Sequence, residues 1–259
     1  MSKEMSEYWQ GRSRSYSNGV KGELAGEMRP IWQAVLSSRT ARARFAARTA
    51  GRTPCVADFG CGPGMFSILY AAMGCEVVAM DYSQNMLDHA AENARQEGVF
   101  QNISFTCGDV SKLPFPSGSF DVAVCRNVTW ILEDPERAYA EWLRVLVPGG
   151  KLLVFDANWY RYLVDPETAR RRDEDQNGRM LEGWDEEAQA TSDEERYCEE
   201  LAQTLPFTHI LRPAWDVQAF ERLGCKDVSV DEDIWKLVWP KSEQDYYGAT
   251  PMFLIEVEK

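Results

Sequence analysis

The stretch CVADFGCGPGMFSILYAAMGCEVVAMDYS, residues 55–83, decides the predicted fold. An apolar run is followed by three glycines at every second position, Gly60, Gly62 and Gly64, and then by apolar residues at helical spacing. A second apolar run ends at Asp81. Short apolar runs predict strands, and spacings of three and four predict a helix. The stretch therefore predicts a strand, a turn, a helix and a second, parallel strand.

The same alternation continues along the chain. The strand-like runs NISFTCGD, FDVAVCR and KLLVFDA alternate with helical patterns, one beginning after Ser83 as a predicted N-cap and one ending at the Pro-Gly-Gly of residues 148–150. A helical pattern and two more strand-like runs follow near the C-terminus, at 225–234 and 251–259. This order predicts an α/β fold with a doubly wound, mostly parallel sheet of seven strands.

The chain divides into four segments by composition. Residues 1–50 are predicted to be helical, 51–157 to form the core, and 214–259 to complete the sheet with a helix and strands. Residues 158–213 interrupt the alternation after the fifth strand, because they are polar, acidic and rich in aromatic residues. We interpret them as an inserted cap.

Composition excludes several classes of function. The net charge of −13 argues against non-specific binding of nucleic acid. No apolar run is long enough to span a bilayer, and the N-terminus has no apolar signal region, so a cytoplasmic protein is expected. Seven cysteines without CxxC spacing and two histidines, His89 and His209, predict reduced thiols and no metal site. Twelve acidic residues against two arginines within 173–200 are a solvated face or a field that attracts cations.

The glycine turn differs from a dinucleotide-binding turn. In that motif the third glycine stands one residue later, where this chain has Met65. Asp58 directly precedes the turn, and a carboxylate there repels a pyrophosphate but pairs with a cationic group. The turn therefore favours a nucleoside that carries an amino acid over a dinucleotide.

VADFGCGPG resembles motif I of the class I S-adenosylmethionine-dependent methyltransferases. Asp81, the segment CGDVSKLPFPSGSFDVAVCRN and the segment LRVLVPGGKLLVFD resemble later motifs of that family in the same order, so the likeness covers residues 55–157. The resemblance implies a Rossmann-like fold with S-adenosylmethionine as cofactor and methyl transfer as the activity.

The resemblance also implies which residues bind the cofactor. Asp81 is expected to hold the ribose hydroxyls, Asp109 and the Val110 N–H to contact adenine, and Asn127, with Arg126, to face the methionine end. The full predicted set is Tyr16, Asp58, Gly60, Cys61, Gly62, Gly64, Asp81, Tyr82, Met86, Asp109, Val110 and Asn127. Asp81 and Asp109 as surface loop acids, and Met86 as core filling, are the alternatives.

The N-terminal segment EYWQGRSRSYSNG resembles the lid that precedes the core in many small-molecule methyltransferases. Tyr8, Trp9, Arg12 and Tyr16 are then candidates to close over a ligand, and simple helix packing is the alternative for Tyr8 and Trp9.

Methyl transfer needs alignment more than a protein nucleophile, since the donor is already activated. Asp156, at the end of the fifth strand, is a candidate base or simply a loop cap. Four aromatic residues are candidates to line an acceptor pocket, or to pack in the core: Trp130, Trp159, Tyr160 and Tyr162. Aromatic rings beside acidic residues favour a small apolar or cationic acceptor.

Two other classes of protein stay open. One is a non-catalytic S-adenosylmethionine sensor or scaffold, and the other is a nicotinamide-dependent oxidoreductase, which Met65 disfavours. RNVT at 126–129 replaces the NPPY or DPPY tetrapeptide of amino-methylating nucleic-acid enzymes, which argues against a DNA or RNA acceptor. The magnesium set of catechol-type enzymes is not recognisable.

Overall fold

The computed structural model describes residues 2–177 and 191–259. Within them, seven strands form one sheet in the order β3-β2-β1-β4-β5-β7-β6. The strands are β1 Cys55–Phe59, β2 Glu76–Asp81, β3 Ile103–Cys107, β4 Phe120–Arg126, β5 Leu146–Asp156, β6 Asp227–Asp231 and β7 Phe253–Glu258. β7 is antiparallel to both of its neighbours, and the other neighbouring pairs are parallel. The prediction of a doubly wound, mostly parallel seven-stranded sheet is confirmed.

Helices surround the sheet, numbered here along the described residues. They are α1 Lys3–Ala25, α2 Arg29–Arg39, α3 Ala41–Thr49, α4 Met65–Ala72, α5 Gln84–Gln96, α6 Pro135–Val145, α7 Pro166–Gln176, α8 Ser192–Ala202, α9 Pro206–His209, α10 Ala214–Arg222, α11 Ile234–Val238 and α12 Lys241–Tyr246. Short 3-10 turns lie at Phe100–Asn102, Thr129–Ile131 and Arg161–Leu163.

Aromatic packing fixes the helices on the two faces of the sheet. On one face, Trp32 of α2 packs against Phe66 of α4 and Phe155 of β5, with ring centroids 5.1 and 5.3 Å away. On the other face, Phe59 of β1 stacks on Trp142 of α6 at 5.4 Å. Burial of large aromatic rings is a major source of folding free energy, so these contacts hold the central strands between two helical layers.

β1 lies at the point where the strand order reverses, between β2 and β4. Its residues Val56, Ala57 and Phe59 are fully buried, which matches the continuous apolar run in the sequence. Crevices at the carboxyl ends of strands beside such a reversal are the usual ligand sites of open α/β sheets. The fold therefore predicts the site at the carboxyl ends of β1, β2 and β4.

One predicted boundary is confirmed and one is wrong. Ser83 caps α5, because its side chain accepts a hydrogen bond from the Met86 amide. The Pro-Gly-Gly of residues 148–150 does not end α6; the helix ends at Val145 and these residues lie within β5. Leu146 already pairs with Phe120, and the strand register then shifts, so the two glycines form an irregularity inside the strand pairing.

The predicted cap, residues 158–213, contains α7, α8 and α9 among its described residues. α8 packs on the N-terminal helix, since Cys198 and Ala202 share an apolar cluster with Met5. Residues 178–190 of this cap, which also form the middle of the acidic stretch 173–200, lie outside the described residues. The division of the chain at 50, 157 and 213 stays a prediction.

Two kinds of feature are absent from the described residues. Within residues 2–177 and 191–259, no helix combines the length and apolar character needed to cross a bilayer. The same residues contain no group of three or more metal-ligating side chains placed to hold an ion.

Candidate active site

A cavity enclosing about 710 Å³, part of it open to solvent, lies at the carboxyl ends of β1, β2 and β4. We call it the edge cavity. Nine of the predicted cofactor residues line it, namely Tyr16, Gly60, Gly62, Asp81, Tyr82, Met86, Asp109, Val110 and Asn127. Residues from five separate stretches of the chain thus converge on one space.

The Asp81 carboxylate is held in place by the backbone. Its Oδ2 accepts a hydrogen bond from the Gly62 amide and its Oδ1 one from the Ser83 amide, both at 2.9 Å. Burial raises the pKa of Asp81, and the same two backbone donors lower it in part. A carboxylate oxygen can accept more than one hydrogen bond, so each Asp81 oxygen can still accept a hydrogen bond from a ligand hydroxyl.

The glycine turn is shaped by close contacts. Gly60 has φ +66°, and a Cβ at this position would lie 2.4 Å from a Val128 methyl. Only glycine suits both that backbone conformation and that contact. Gly64 lies away from the cavity, where a Cβ would approach Ala90 of α5 to 3.0 Å. The first glycine therefore shapes the cavity wall, and the third lets two helices approach.

Asp109 and Met86 also line the edge cavity. The Asp109 side chain accepts the Ser111 amide at 2.8 Å, which fixes the loop after β3. The backbone carbonyl of Val110 accepts a hydrogen bond from the Trp142 indole at 2.9 Å. The Met86 side chain is buried. Tyr82 is 41% exposed at the rim.

Three predicted cofactor residues do not line the edge cavity: Asp58, Cys61 and Gly64. Asp58 is buried and accepts a hydrogen bond from the Ser67 hydroxyl at 2.6 Å. Burial raises the pKa of this carboxyl to about 6, although Ser67 lowers it in part. Cys61 packs into the apolar core. The sequence pattern did not separate residues that line the cavity from those that support the turn.

Asn127 is the first residue after β4 and has φ +58°, an uncommon value for a residue other than glycine. The backbone N–H of Asn127 donates to the Phe155 carbonyl at 2.9 Å, and this hydrogen bond holds the strained residue against β5. Its buried Oδ1 accepts no hydrogen bond from the described part of the chain. Buried polar atoms are usually paired, so this atom marks a position suited to a ligand donor.

A second cavity, enclosing about 1550 Å³ with open solvent included, adjoins the first. We call it the aromatic cavity, because ten aromatic residues of the described part of the chain line it: Tyr8, Trp9, Tyr16, Trp130, Trp159, Tyr160, Tyr162, Trp239, Tyr246 and Tyr247. All four predicted substrate residues, Trp130, Trp159, Tyr160 and Tyr162, are among them.

The four predicted substrate residues are held by polar contacts. The Trp130 indole donates to the Asn127 backbone carbonyl at 3.0 Å. The Trp159 indole donates to the Asp156 carboxylate at 2.9 Å. The Tyr160 hydroxyl lies 3.0 Å from the Cys198 sulfur. The Tyr162 hydroxyl donates to Glu199 at 2.7 Å. Rings fixed in this way form a pre-organised wall.

The two cavities share Trp9, Tyr16, Arg126 and Asn127 in their linings. Arg126 is fixed by Glu23 of α1, whose two carboxylate oxygens lie 2.6 and 2.7 Å from its terminal nitrogens. We call these four shared residues the junction. α1 thus contributes two of the four groups that separate one space from the other.

Several lining residues were missed from the sequence. Glu23 and the C-terminal group Trp239, Glu243, Tyr246 and Tyr247 line the aromatic cavity. For the C-terminal group a sequence signal was present, since aromatic residues recur through 235–247, but these residues do not follow a predicted strand. The segment between β6 and β7, which contains α11 and α12, brings this group to the site.

Asp156, the candidate base, lies apart from both cavities. It is fully buried and lines neither cavity. It accepts hydrogen bonds from the Thr129 hydroxyl, the Trp130 amide at 3.1 Å and the Trp159 indole at 2.9 Å, and its Oδ2 lies 3.1 Å from Arg212. These contacts engage the lone pairs of the carboxylate and tie together the loops around the aromatic cavity.

Comparisons with known proteins agree with this geometry. Residues 57–154 match the family described as methyltransferase domain. The uncharacterized methyltransferase C1B3.06c of Schizosaccharomyces pombe is 32% identical over 159 residues, which cover 58% of this chain and 55% of that protein. The chain spans about half the length, or less, of the curated relatives it matches first.

Solved structures share the fold. The [4+2]-cyclase SpnF has a TM-score of 0.56 at 18% identity, covering 88% of this chain and 79% of that chain. The phosphoethanolamine N-methyltransferase 2 of Haemonchus contortus, solved with S-adenosyl-L-methionine, has a TM-score of 0.53 at 17% identity, covering 80% of this chain and 49% of that chain. A cyclase and a methyltransferase thus share this architecture, so the fold alone does not define the reaction.

The family match places a methyltransferase domain at residues 57–154. This match and the relatives support the prediction of a class I, S-adenosylmethionine-dependent methyltransferase.

Proposed function

We propose that this protein transfers a methyl group from S-adenosylmethionine to a small-molecule acceptor. One observation carries the proposal: the edge cavity, formed by the motif residues, shares the four residues of the junction with the aromatic cavity. A donor in the first space and an acceptor in the second meet at Trp9, Tyr16, Arg126 and Asn127. Substitution at a methyl carbon requires this arrangement of two ligands on a common line.

The residues present fit the donor. The Asp81 oxygens, fixed by the Gly62 and Ser83 amides, suit two ribose hydroxyls, and such charge-assisted hydrogen bonds are strong. Asp109 lies on the same cavity and suits an adenine amine. The unpartnered Oδ1 of Asn127 suits the ammonium of the methionine end. S-adenosylmethionine supplies an electrophilic methyl group on a sulfonium.

The protein's own residues bind, orient and exclude water. α1 covers both cavities through Trp9 and Tyr16, and its Glu23 is paired with Arg126 below it. Burial raises the pKa of Tyr16, and the nearby Arg126 lowers it in part. We propose that α1 closes the site against solvent and that the phenol helps to align the reacting groups.

The acceptor is proposed to be a small molecule bound within the aromatic cavity, with the predicted cap, residues 158–213, supplying part of its wall. Tyr160 and Tyr162 come from this segment. A cytoplasmic setting is proposed with it, consistent with seven cysteines that are all free thiols.

Calorimetry separates the competing functions. We expect S-adenosylmethionine and S-adenosylhomocysteine to bind in a 1:1 ratio, and NAD to give no measurable heat. Binding of NAD in place of the sulfonium would reject the proposal in favour of an oxidoreductase. A screen of metabolite fractions for transfer of a tritiated methyl group then tests catalysis. Donor binding with no acceptor in any fraction would favour the sensor or scaffold.

A further inference from the structure

Trp9 of α1 carries a buried hydrogen-bond donor without a protein acceptor. Its indole Nε1 is buried and has no partner in the described part of the chain. Two other indoles of the aromatic cavity are paired. The Trp130 indole donates to the Asn127 carbonyl at 3.0 Å, and the Trp159 indole donates to Asp156 at 2.9 Å. Because buried polar groups are usually paired, the Trp9 N–H marks a position suited to a ligand acceptor.

Trp9 belongs to the wall of the aromatic cavity as well as to the junction. Its ring centroid lies 5.2 Å from that of Tyr8 and 6.4 Å from that of Trp130, both edge to face. Tyr8 and Trp130 line the aromatic cavity and are not in the lining of the edge cavity. Trp9, Tyr8 and Tyr160 also pack against the same apolar cluster, which contains Trp130.

Tyr16, about two turns later on α1, occupies the other side of the junction. A Cβ at Gly62 would lie 3.6 Å from its ring, so this ring is in contact with the glycine turn. The rings of Trp9 and Tyr16 meet edge to face with centroids 5.5 Å apart. Tyr16 is therefore the ring that α1 places on the side of the proposed donor. Trp9 is the ring that it places beside the proposed acceptor.

A hydrogen bond from Trp9 restricts the reacting atom of the acceptor. A neutral amine nitrogen has one lone pair, and a nitrogen that accepts the indole N–H has none left to attack a methyl carbon. A hydroxyl oxygen has two lone pairs, so it can accept this hydrogen bond and still react. Among hydroxyl compounds, a phenol has a pKa of about 10 and can pass its proton to water, whereas an aliphatic alcohol is much less acidic. Aromatic walls also favour an aromatic body.

We propose that the acceptor is a phenol, and that the Trp9 N–H donates a hydrogen bond to the oxygen that becomes methylated. This inference rests on the proposed function and names the substrate class of the same site. The phenol first passes its proton to water. A lone pair of the phenolate oxygen then forms the oxygen–carbon bond while the carbon–sulfur bond breaks and leaves its electrons on sulfur. The products are an aryl methyl ether and S-adenosylhomocysteine.

Two probes that differ by one hydroxyl test the hydrogen bond. The full chain is saturated with S-adenosylhomocysteine and titrated by calorimetry with 4-chlorophenol or with chlorobenzene. Trp9→Phe keeps an aromatic ring and removes the N–H. It should weaken binding of 4-chlorophenol about fivefold, the effect of one lost neutral hydrogen bond, and change the affinity for chlorobenzene by less than about twofold. The matched control Trp215→Phe, at a half-buried indole outside both cavities, should leave both affinities unchanged.

Three results would overturn the role of Trp9. One is equal weakening of the two probes, which would assign the effect to the shape of the ring. Another is weaker binding of S-adenosylhomocysteine to Trp9→Phe with unchanged binding of 4-chlorophenol, which would assign the N–H to the methionine carboxylate. The third is no measurable binding of 4-chlorophenol to the parent protein. Should Trp9→Phe not fold, the Nε1–H resonance of Trp9 in ¹⁵N-labelled parent protein is followed instead. We expect 4-chlorophenol to shift it and chlorobenzene not to; equal shifts would count against the inference.

The product of methyl transfer separates this inference from the proposed function. The labelled product of the metabolite screen should be an aryl methyl ether by mass spectrometry. A product methylated on nitrogen or sulfur would overturn the phenol class and leave methyl transfer intact. Failure of the parent protein to bind S-adenosylhomocysteine would reject methyl transfer, and the two probes would then be titrated into the free protein.

Discussion

Arg126 at the end of β4 and Glu23 in α1 form an ion pair with two short contacts, 2.6 and 2.7 Å. Their side chains are 13% and 17% exposed, so water screens the pair weakly. The pair joins residues 103 positions apart in sequence and fixes the covering helix to the carboxyl edge of the sheet. The geometry of the junction therefore depends on a contact whose partner in α1, Glu23, lies outside every sequence motif.

Glu23→Ala should destabilise the fold by about 3 kcal/mol, because it leaves a mostly buried guanidinium without its carboxylate. Urea unfolding followed by circular dichroism measures this loss. The control Glu27→Ala removes an exposed carboxylate from the segment after the same helix and should change stability by less than about 0.5 kcal/mol. Equal effects of the two variants would mean that the pair adds nothing to stability.

Asp81→Ala should weaken binding of S-adenosylmethionine by roughly 1–3 kcal/mol through loss of the ribose hydrogen bonds. The Gly62 and Ser83 amides also lose their acceptor, so thermal unfolding must show that the variant is folded at the temperature of the titration. Asp88→Ala, an exposed change on the neighbouring helix, is the matched control. An unaltered affinity in folded Asp81→Ala would remove the ribose assignment.

The motif-bearing half of the site was predictable for a physical reason. Strand ends, a glycine turn and an acidic residue at the end of β2 are local patterns, and a parallel sheet brings its carboxyl ends together at one edge. Asp81 and Asn127 therefore converge on one cavity although 46 positions separate them in the sequence.

The other half depends on packing between distant elements. Glu23 and Glu243 reach the site through α1 and α12, and no periodicity indicates where a terminal helix docks. The environment of Asp156 was also not predictable from local sequence. Its place at the end of β5 made it a candidate base, but in the fold it pairs in the interior with Arg212, which lies 56 positions later in the chain.

Asp58 should make stability depend on pH. Its pKa of about 6 in the fold lies above the ordinary value of 3.8, so the native state holds the proton more tightly than the unfolded chain. Its contribution therefore falls as pH rises from about 4 to 6 and then levels off at a cost of about 3 kcal/mol. Asp58→Asn cannot ionise and still accepts the Ser67 hydroxyl.

We expect the stability gain of Asp58→Asn over the parent protein to be larger at pH 7.5 than at pH 4.5, as measured by urea unfolding without ligand. Asp88→Asn, exposed on α5, should show a gain that does not vary between these two pH values. A gain for Asp58→Asn that is constant with pH would show that the carboxyl titrates in the fold as it does in the unfolded chain.

Gly60→Ala should lower the free energy of unfolding by more than the cost of backbone strain alone. The new Cβ would lie 2.4 Å from a Val128 methyl at a residue with φ +66°. Strain costs roughly 1–2 kcal/mol, and overpacking adds roughly 1–3 kcal/mol. Gly118→Ala isolates the strain, because Gly118 has φ +71° and no heavy atom within 4 Å of the added carbon. Val128→Ala added to Gly60→Ala should recover part of the difference in denaturant unfolding; no recovery would place the cost elsewhere.

Asp156→Ala distinguishes a supporting residue from a catalytic base. The substitution removes the acceptor for Thr129, Trp130 and Trp159 and one of the two carboxylates around the fully buried Arg212, the other being Asp216. We expect a loss of about 3–5 kcal/mol in the free energy of unfolding, since a buried charge loses a partner. Removal of a catalytic base commonly leaves stability unchanged or raised, because such groups are held at a cost to the fold. Unfolding of Asp156→Ala at or above the denaturant midpoint of the parent protein would therefore restore Asp156 as a candidate base.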